Sequence, residues 1–242
     1  MIEVLGVSKS YNRGALKALS QVDLTVNNGE IFGFLGPNGA GKTTLIKILT
    51  GILNADQGQV LINGIDIRRE PIAAKLQIGY VPDDPNLFSR LTGSDYLKFM
   101  ADMYQVSKET RQKEIPKLLE RFDMTAAVGD LLQSYSHGMK QKIIVIGALL
   151  HQPPVWILDE PMTGLDPKSS FSLKEMMREH ADAGNTVFFS THVLDVAEKI
   201  CDRMAIINKG KMIFQGTMDE IHRHFRENQS LENIFLELTE NA

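Results

Sequence analysis

Cysteine is nearly absent from this 242-residue sequence, in which Cys201 is the only one. A single thiol excludes an internal disulfide bond and a cysteine metal cluster, and it suits a reducing compartment. Long apolar runs are also absent, since none approaches the roughly 18 residues that a membrane-spanning helix requires. The N-terminal segment MIEVLGVSKS lacks the basic start and the apolar stretch of a signal peptide. Any activity at a membrane therefore requires a partner that spans it.

The sequence also has no excess of basic over acidic residues. The chain has 26 Lys and Arg against 30 Asp and Glu, which gives a net charge of -4 and an isoelectric point near 5.9. A surface that neutralises a nucleic-acid backbone is usually basic, so we expect no nucleic-acid partner. With 43% hydrophobic residues the chain can bury an ordinary core, and its length fits one domain or a core with an insertion.

Strand-like and helix-like patterns alternate along the chain. Short apolar or alternating stretches predict strands at residues 2–7, 22–26, 31–35 and 60–65, so the chain begins with a β-rich region. Residues 92–128 show apolar positions at helical spacing, which predicts an all-helical insertion. From residue 155 onwards strands and helices alternate, as in parallel βαβ units. The pattern predicts an α/β fold that ends in an amphipathic helical tail at residues 219–242.

The stretch GPNGAGKTT follows an apolar strand and precedes a helix, the context in which a glycine-rich loop binds phosphate. Glycines let backbone N–H groups turn towards a polyphosphate, and the helix dipole adds to the attraction. Lys42 is expected to reach the terminal phosphates, and the Thr43 hydroxyl to bind Mg²⁺. The alternative is a glycine-rich turn with an incidental lysine. The predicted phosphate-binding residues are Gly36, Pro37, Asn38, Gly39, Ala40, Gly41, Lys42, Thr43 and Thr44.

Two carboxylates follow the apolar strand in VWILDEP, at the end of the strand where ligands bind in open α/β sheets. Asp159 is suited to holding Mg²⁺, and Glu160 to orienting and deprotonating a water molecule. A surface turn that ends the strand is the alternative for this segment alone. His192 follows another apolar strand, TVFFSTH, and is expected at the same edge near the terminal phosphate, although a lone histidine is more often structural. The other histidines are expected at the surface.

Taken together and in this order, the motifs resemble the ATP-binding subunit of an ABC transporter, of the bacterial drug, antibiotic or ion exporter type. GPNGAGKTT is similar to the Walker A motif, SYSHGMKQK to the signature motif and ILDEP to Walker B. GLDP at 164–167 resembles the D-loop, and His192 the switch histidine. Tyr11 stands where the family places an aromatic ring against adenine.

The resemblance implies an α/β fold with a P-loop NTPase core and a mostly parallel sheet, an N-terminal antiparallel β subdomain and an inserted α-helical subdomain. The expected ATP-binding domain spans residues 1–216, with the helical subdomain at approximately 85–150 and a C-terminal helical extension at 217–242. ATP and Mg²⁺ are the expected ligands, and ATPase activity the expected reaction.

The resemblance also implies partners. Two ATP-binding subunits, identical or different, pair head to tail, so that Ser136 and Gly138 close on the γ-phosphate held by the partner's loop. A separate transmembrane permease subunit is driven by ATP hydrolysis in this chain. The resemblance therefore places this chain at the cytoplasmic face of the cell membrane. Two other classes stay open: a soluble ABC ATPase of translation or DNA repair, and a phosphate-loop kinase.

Two positions depart from the family pattern. His137 replaces a glycine of the signature motif, and its side chain need not face the phosphate. Asp83 stands where a glutamine usually contacts Mg²⁺; it either ligates the metal or is displaced and inert. Just beyond it, Leu87, Phe88 and Leu91 form either a socket for the permease or ordinary packing of the helical subdomain.

Overall fold

The computed structural model describes residues 1–85 and 88–225 together with Phe235. Helices and strands alternate over most of this part of the chain. In chain order the elements are β1 (Ile2–Tyr11), β2 (Leu16–Val26), β3 (Ile31–Leu35), α1 (Lys42–Leu49), β4 (Gln57–Ile62), β5 (Ile65–Asp66), α2 (Pro71–Leu76), β6 (Ile78–Val81), α3 (Gly93–Met103), α4 (Lys108–Arg121), α5 (His137–Leu149), β7 (Val155–Asp159), α6 (Pro167–Asp182), β8 (Thr186–Thr191), α7 (Leu194–Ile200), β9 (Arg203–Asn208), β10 (Lys211–Thr217) and α8 (Met218–Phe225).

The strands form two sheets of different kinds. Strands β2, β1, β4 and β5 lie side by side in that order as an antiparallel sheet. The second sheet has the order β10-β9-β3-β8-β7-β6, and its neighbours are parallel except for the edge pair β10 and β9. The predicted α/β fold, with a mostly parallel sheet and an N-terminal antiparallel sheet, is confirmed.

Three neighbouring strands of the parallel sheet end side by side. Leu35 at the end of β3 pairs with Thr191 of β8, and Ser190 of β8 pairs with Asp159 of β7. Every residue of these strands is buried, which explains why they appear in the sequence as continuous apolar runs. The segments that follow the three strands therefore emerge at one edge of the sheet, the usual position of a ligand site.

Buried side chains cover both faces of the parallel sheet. On one face Phe32 and Phe188 stack with ring centroids 6.0 Å apart, within a cluster that includes α1 and the antiparallel sheet. On the other face Trp156 and Phe189 pack with α3, α5 and α6. Successive residues of a strand face opposite sides, so each strand contributes to both clusters.

Side-chain caps start the three helices of the region predicted as a helical insertion. Thr92 and Asp95 form a capping box at the start of α3, and Ser107 accepts a hydrogen bond from the Thr110 N–H at the start of α4. Ser136 caps α5 in the same way. Helices α3 and α4 lie within the stretch 92–128 that was predicted as helical, whereas residues 104–107 and 122–128 form turns or irregular segments.

The expectation that histidines outside the site lie at the surface is wrong for two of them. His151 is half-buried and stacks on Tyr104 with ring centroids 3.7 Å apart. His180 is also half-buried, with its ring edge-on to Trp156 at 5.6 Å. Apolar and aromatic neighbours from distant segments cover these rings, and local sequence does not reveal such neighbours.

The C-terminal prediction is only partly covered by the described residues. Helix α8 begins with reciprocal hydrogen bonds between Thr217 and Glu220, and its Ile221 is buried in a cluster that Phe235 also contacts. Of the predicted apolar face of the tail, Leu231, Ile234 and Leu238 lie outside the described residues. None of the helices within the described ranges combines the length and the apolar character that crossing a membrane requires.

We predict that the protein loses stability in mild acid. Burial lowers the pKa of His151 and of His180 to about 4, whereas an unfolded histidine titrates near pH ~6.5. Between these values the unfolded chain binds more protons, so the free energy of unfolding falls as the pH drops from about 6.5 towards 4. Urea titrations across this window, with wild type and with His180→Gln, measure the effect. The variant is expected to show a shallower pH dependence, and an unchanged slope would contradict the prediction.

Candidate functional site

The loop after β3 wraps around the side chain of its own lysine. Helix α1 begins at Lys42, preceded by Gly41 in the left-handed conformation. The Lys42 side chain is buried, and its Nζ donates a hydrogen bond to the Gly36 carbonyl oxygen at 2.6 Å. A glycine-rich loop that opens a helix presents N–H groups and a positive dipole end, which suits a polyphosphate.

Glycine is required at both ends of this loop by close backbone neighbours. A Cβ atom at Gly36 would lie 2.4 Å from the carbonyl oxygen of Ile207 in β9. At Gly41, where φ is +115°, it would lie 2.6 Å from the carbonyl oxygen of Ala18 in β2. Neither position tolerates a side chain, because backbone atoms cannot move aside cheaply. The loop is therefore held between both sheets.

An open cavity of about 510 Å³ lies beside the loop. The Tyr11 hydroxyl lies 3.5 Å from Thr44 Oγ1, so the ring stands near the start of α1. Gly36 and Ala40 of the loop do not line the cavity and are buried. The lining residues are Tyr11, Leu16, Lys17, Ala18, Pro37, Asn38, Gly39, Gly41, Lys42, Thr43, Thr44, Asp83, Glu160 and Lys209.

The Glu160 carboxylate lies between two cationic or polar side chains. Its Oε1 is 3.6 Å from Lys42 Nζ, and its Oε2 is 2.9 Å from His192 Nδ1. Because a carboxylate only accepts hydrogen bonds, His192 donates from Nδ1. The Glu160 side chain is 14% exposed, so it is shielded from bulk water while bordering the cavity. This carboxylate can therefore accept a proton from a molecule bound in the cavity.

Glu160 adopts an uncommon backbone conformation. Its φ of +47° lies in the left-handed region, which non-glycine residues seldom occupy. The Ser190 hydroxyl accepts a hydrogen bond from the Glu160 N–H at 3.1 Å, and the Thr163 N–H donates to the Glu160 carbonyl at 3.2 Å. Strain of this kind persists only where surrounding contacts hold it, and it is concentrated at functional sites.

Asp159 is buried at the end of β7, next to Glu160. Its Oδ1 accepts a hydrogen bond from Ser190 Oγ at 2.5 Å, while its Oδ2 has no hydrogen-bond partner among the described residues. Burial raises the pKa of Asp159, and the hydroxyls of Ser190 and Thr43 offset only part of this effect. An unpaired buried carboxylate oxygen beside a phosphate loop fits a hard cation such as Mg²⁺.

Asp83 borders the same cavity as Thr43 and Glu160. It follows β6, the edge strand that pairs with β7, so its position follows from the order of the sheet. Asp83 is exposed on the cavity wall, and both alternatives for this residue, metal ligand or inert side chain, stay open.

The start of α5 lies outside this cavity. Ser136 is exposed, and its Oγ accepts a hydrogen bond from the Met139 N–H at 3.2 Å. Neither Ser136 nor Gly138 is among the residues that line the cavity beside Lys42. The second predicted anion-binding segment therefore does not complete the first one within the same chain.

The start of α5 is fixed against the segment GLDP instead. A Cβ atom at Gly164, where φ is +75°, would lie 2.4 Å from Nδ1 of His137, so the imidazole packs directly on this glycine. Lys142 Nζ forms an ion pair with Asp166 Oδ2 at 2.9 Å. Since GLDP follows Glu160 closely in the chain, these contacts connect the start of α5 to the carboxylate edge.

Three polar residues near the site, as well as the cavity-lining Leu16 and Ala18, were not predicted from the sequence. Ser190 contacts both Asp159 and Glu160, and Lys17 and Lys209 line the cavity. The Gly210 N–H also donates to the Ala40 carbonyl of the phosphate loop at 2.9 Å. The only sequence signal was the Lys209-Gly210 turn and the serine in TVFFSTH. Their positions depend on strand neighbours that are far apart in the chain.

Comparison with known proteins decides the family. A family model described as ABC transporter matches residues 19–163, more than half of the chain. The chain belongs to the ABC transporter ATP-binding family. This chain is accordingly an ATP-binding protein of the ABC transporter family, which confirms the resemblance seen in its motifs.

Curated relatives of this ABC ATPase agree. It is 35% identical over 240 residues to the ABC-type transporter ATP-binding protein EcsA of Bacillus subtilis, a match that covers 99% of this chain and 96% of EcsA. It is 34% identical over 221 residues to the linearmycin resistance ATP-binding protein LnrL of the same organism, covering 91% and 70%. An uncharacterized ABC transporter ATP-binding protein of Nostoc is 39% identical over 206 residues, covering 84% of this chain and 61% of that longer protein.

Solved structures give the same family. A structure described as the ATP binding subunit of an ABC transporter has a TM-score of 0.94 and 35% identity, covering 98% of this chain and 99% of that one. A bacterial ABC transporter cassette solved as a dimer has a TM-score of 0.82 and 25% identity, covering 90% and 99%.

We predict that Lys42→Ala weakens ATP binding by at least about tenfold, because it removes a buried cation that faces the cavity. Lys47→Ala is the matched control, since Lys47 lies on the same helix but is exposed and outside the cavity. Calorimetry with ATP in the absence of hydrolysis measures both affinities. Equal affinities of wild type and Lys42→Ala would refute this role of the lysine.

Proposed function

We propose that this subunit binds MgATP between two ATP-binding subunits that pair head to tail, and that hydrolysis drives a separate transmembrane permease. The observation that carries the proposal is the separation of Ser136 and Gly138 from the cavity that contains Lys42. An exposed helix N-terminus with its N–H groups is suited to an anion. A second subunit supplies that anion as the terminal phosphate of its own nucleotide. The cassette solved as a dimer supports this arrangement.

The nucleotide is held along the cavity wall. Residues 36–44 receive its phosphates, with Lys42 against the terminal ones, and Tyr11 provides a ring for the adenine. The Tyr11 side chain is suited to this role because the residue is 36% exposed and borders the cavity, so one face of its ring is accessible to a base.

Mg²⁺ fits oxygen ligands from three segments, namely the start of α1, the segment after β6 and the end of β7. Thr43, Asp159 and Asp83 are the side chains that would hold it, and the unpaired Oδ2 of Asp159 supports this choice. The described residues contain no group of three or more His, Cys, Asp or Glu arranged to hold a metal by themselves. The ion would therefore take its remaining ligands from phosphate and water, as Mg²⁺ commonly does. When bound, it neutralises negative charge on the phosphates.

Glu160 is the proposed general base. Lys42 and His192 contact its carboxylate at 3.6 and 2.9 Å. Phosphates compete for Lys42, so nucleotide binding frees one side of the Glu160 carboxylate for a water molecule. In this proposal His192 keeps the other side of the carboxylate oriented through its 2.9 Å contact with Oε2 and would contact the terminal phosphate. Proton transfer to a positioned base of this kind typically contributes about 10²- to 10⁴-fold in rate.

Export is the proposed direction of transport. A relative named for linearmycin resistance supports it, since resistance is consistent with removing a drug from the cell. In this role the subunit is bound to its permease at the cytoplasmic face of the cell membrane.

Residues 1–216 form the ATP-binding domain in this proposal, residues 85–150 its helical subdomain, and residues 217–242 a C-terminal extension.

The region after β6 offers a contact surface for the permease. Phe88 is 45% exposed, and its ring lies 5.3 Å from that of the exposed Phe99. Leu91 is half-buried and packs against the helical core, while Leu87 lies outside the described residues. Phe88 therefore fits the socket alternative, and Leu91 fits internal packing. Exposed aromatic residues in contact with each other are typical of interaction surfaces.

Glu160→Gln tests the proposed function most simply. The amide cannot accept the proton from water, whereas ATP binding by the loop is retained, so the variant is expected to accumulate as an ATP-bound dimer. Gel filtration with saturating MgATP measures this, with nucleotide-free protein as the control. A variant that hydrolyses ATP at the wild-type rate, or remains monomeric with bound ATP, would contradict the proposal.

Ser136→Ala is expected to reduce ATP hydrolysis by at least about tenfold and to leave ATP binding by the monomer within about twofold, because its target belongs to the other subunit. Ser134→Ala is the matched control, since the Ser134 hydroxyl donates to the Leu131 carbonyl in its own turn. Parallel losses of binding and hydrolysis in Ser136→Ala would count against head-to-tail pairing.

A further inference from the structure

A single buried hydroxyl group joins the two carboxylate residues of the site. Ser190 Oγ donates to Asp159 Oδ1 at 2.5 Å and accepts from the Glu160 N–H at 3.1 Å. Ser190 is fully buried, so water does not replace either hydrogen bond if the hydroxyl is lost. One proton and one lone pair of the hydroxyl therefore fix two neighbouring residues at once.

The sheet register makes this contact unavoidable. Asp159 is the last residue of β7 and lies directly opposite Ser190 in the parallel pair of β7 and β8. Paired residues on neighbouring strands point to the same face, which brings the hydroxyl to the carboxylate. The chain then leaves the sheet at Glu160, whose N–H no longer belongs to the strand ladder and requires another acceptor.

The end of β8 holds Glu160 at more than one atom. Ser190 binds its backbone N–H, while the N–H and Nδ1 of His192 lie 3.4 and 2.9 Å from its Oε2. The backbone and the carboxylate of Glu160 are thus oriented by two residues of the same strand end. The positive φ of Glu160 is an independent sign that these contacts are needed.

Asp159 depends on the same hydroxyl for its orientation. The hydrogen bond from Ser190 holds Oδ1 and so helps to set which way the carboxylate plane faces, while the Thr43 hydroxyl also acts on this carboxylate. Without it, the side chain could rotate and direct its free oxygen elsewhere. Misplacing a group by about 1 Å at a reacting centre can cost about 10²-fold in rate.

We propose that Ser190 is a positioning residue for ATP hydrolysis, which aligns the Asp159 carboxylate and the Glu160 backbone through one hydroxyl group. It does not contact the nucleotide, since it does not line the cavity. The proposal rests on the proposed roles of Asp159 and Glu160.

Ser190→Ala removes the hydroxyl with little change in volume. We expect kcat for ATP hydrolysis to fall about 10- to 100-fold, the range that corresponds to the loss of a hydrogen bond to a charged group. The affinity for ATP in EDTA should stay within about twofold of wild type, because the phosphate loop is untouched. A crystal structure of the variant is expected to show a rotated Asp159 carboxylate or a changed φ at Glu160.

Thr186→Val is the matched control for the loss of a buried hydroxyl. Thr186 is the first residue of the same strand, is fully buried, and donates to the Asn27 carbonyl at 3.1 Å at the opposite end of the sheet. We expect this variant to lose thermal stability to a similar extent as Ser190→Ala and to keep kcat within about twofold of wild type.

The outcomes separate this proposal from the proposed function. If Glu160→Gln abolishes hydrolysis while Ser190→Ala keeps the wild-type kcat, the positioning role is wrong and the function stands. If Thr186→Val loses as much kcat as Ser190→Ala, the effect is one of general stability and the positioning role is also wrong. If Glu160→Gln hydrolyses ATP normally, the proposed function itself fails.

Discussion

The parallel pairing of β3, β8 and β7 is the constraint on which the rest of the site depends. These three strands end together, with Leu35 opposite Thr191 and Ser190 opposite Asp159. The phosphate loop and His192 begin one residue beyond the ends of β3 and β8, and the carboxylate pair begins at the last residue of β7. A shift of one residue in this register would turn the site residues to the opposite face of the sheet. Such a shift is expensive, because side chains such as Phe188 and Trp156 would have to repack within the buried cluster on the opposite face.

Residues far apart in the chain determine how tightly the phosphate loop is held. The loop is pressed between the Ala18 carbonyl of the antiparallel sheet and the Ile207 carbonyl of the parallel sheet, so it cannot relax independently of either. Lys42 is buried in this setting, and its Nζ lies 3.6 Å from Glu160 Oε1. This ion pair couples the proposed base to the proposed phosphate-binding cation. In the proposed function, phosphate bound by the loop would therefore change the surroundings of Glu160.

Local sequence was sufficient for the parts of the site that lie within one segment. The helix after the glycine-rich loop was predicted correctly, because the loop, a lysine and a helical pattern are consecutive in the chain. The strands before Gly36, Glu160 and His192 were also predicted, since buried parallel strands are continuous apolar runs. Long-range features were missed for the converse reason. Ser190 acquires its role only from pairing with Asp159. His180 lies in α6, and its half-burial depends on Trp156 in β7.

In the proposed function, the start of α5 is the part of this chain that acts on a second subunit. Ser136 is exposed, outside the cavity of its own chain, while His137 and Lys142 attach this helix to the segment that follows Glu160. A mixture of the Lys42→Ala and Ser136→Ala variants tests whether one ATP is shared by two copies. Head-to-tail pairing predicts that mixed dimers contain one intact site, so the mixture should hydrolyse ATP faster than the two variants assayed separately. A rate no greater than the average of the separate variants would contradict shared sites.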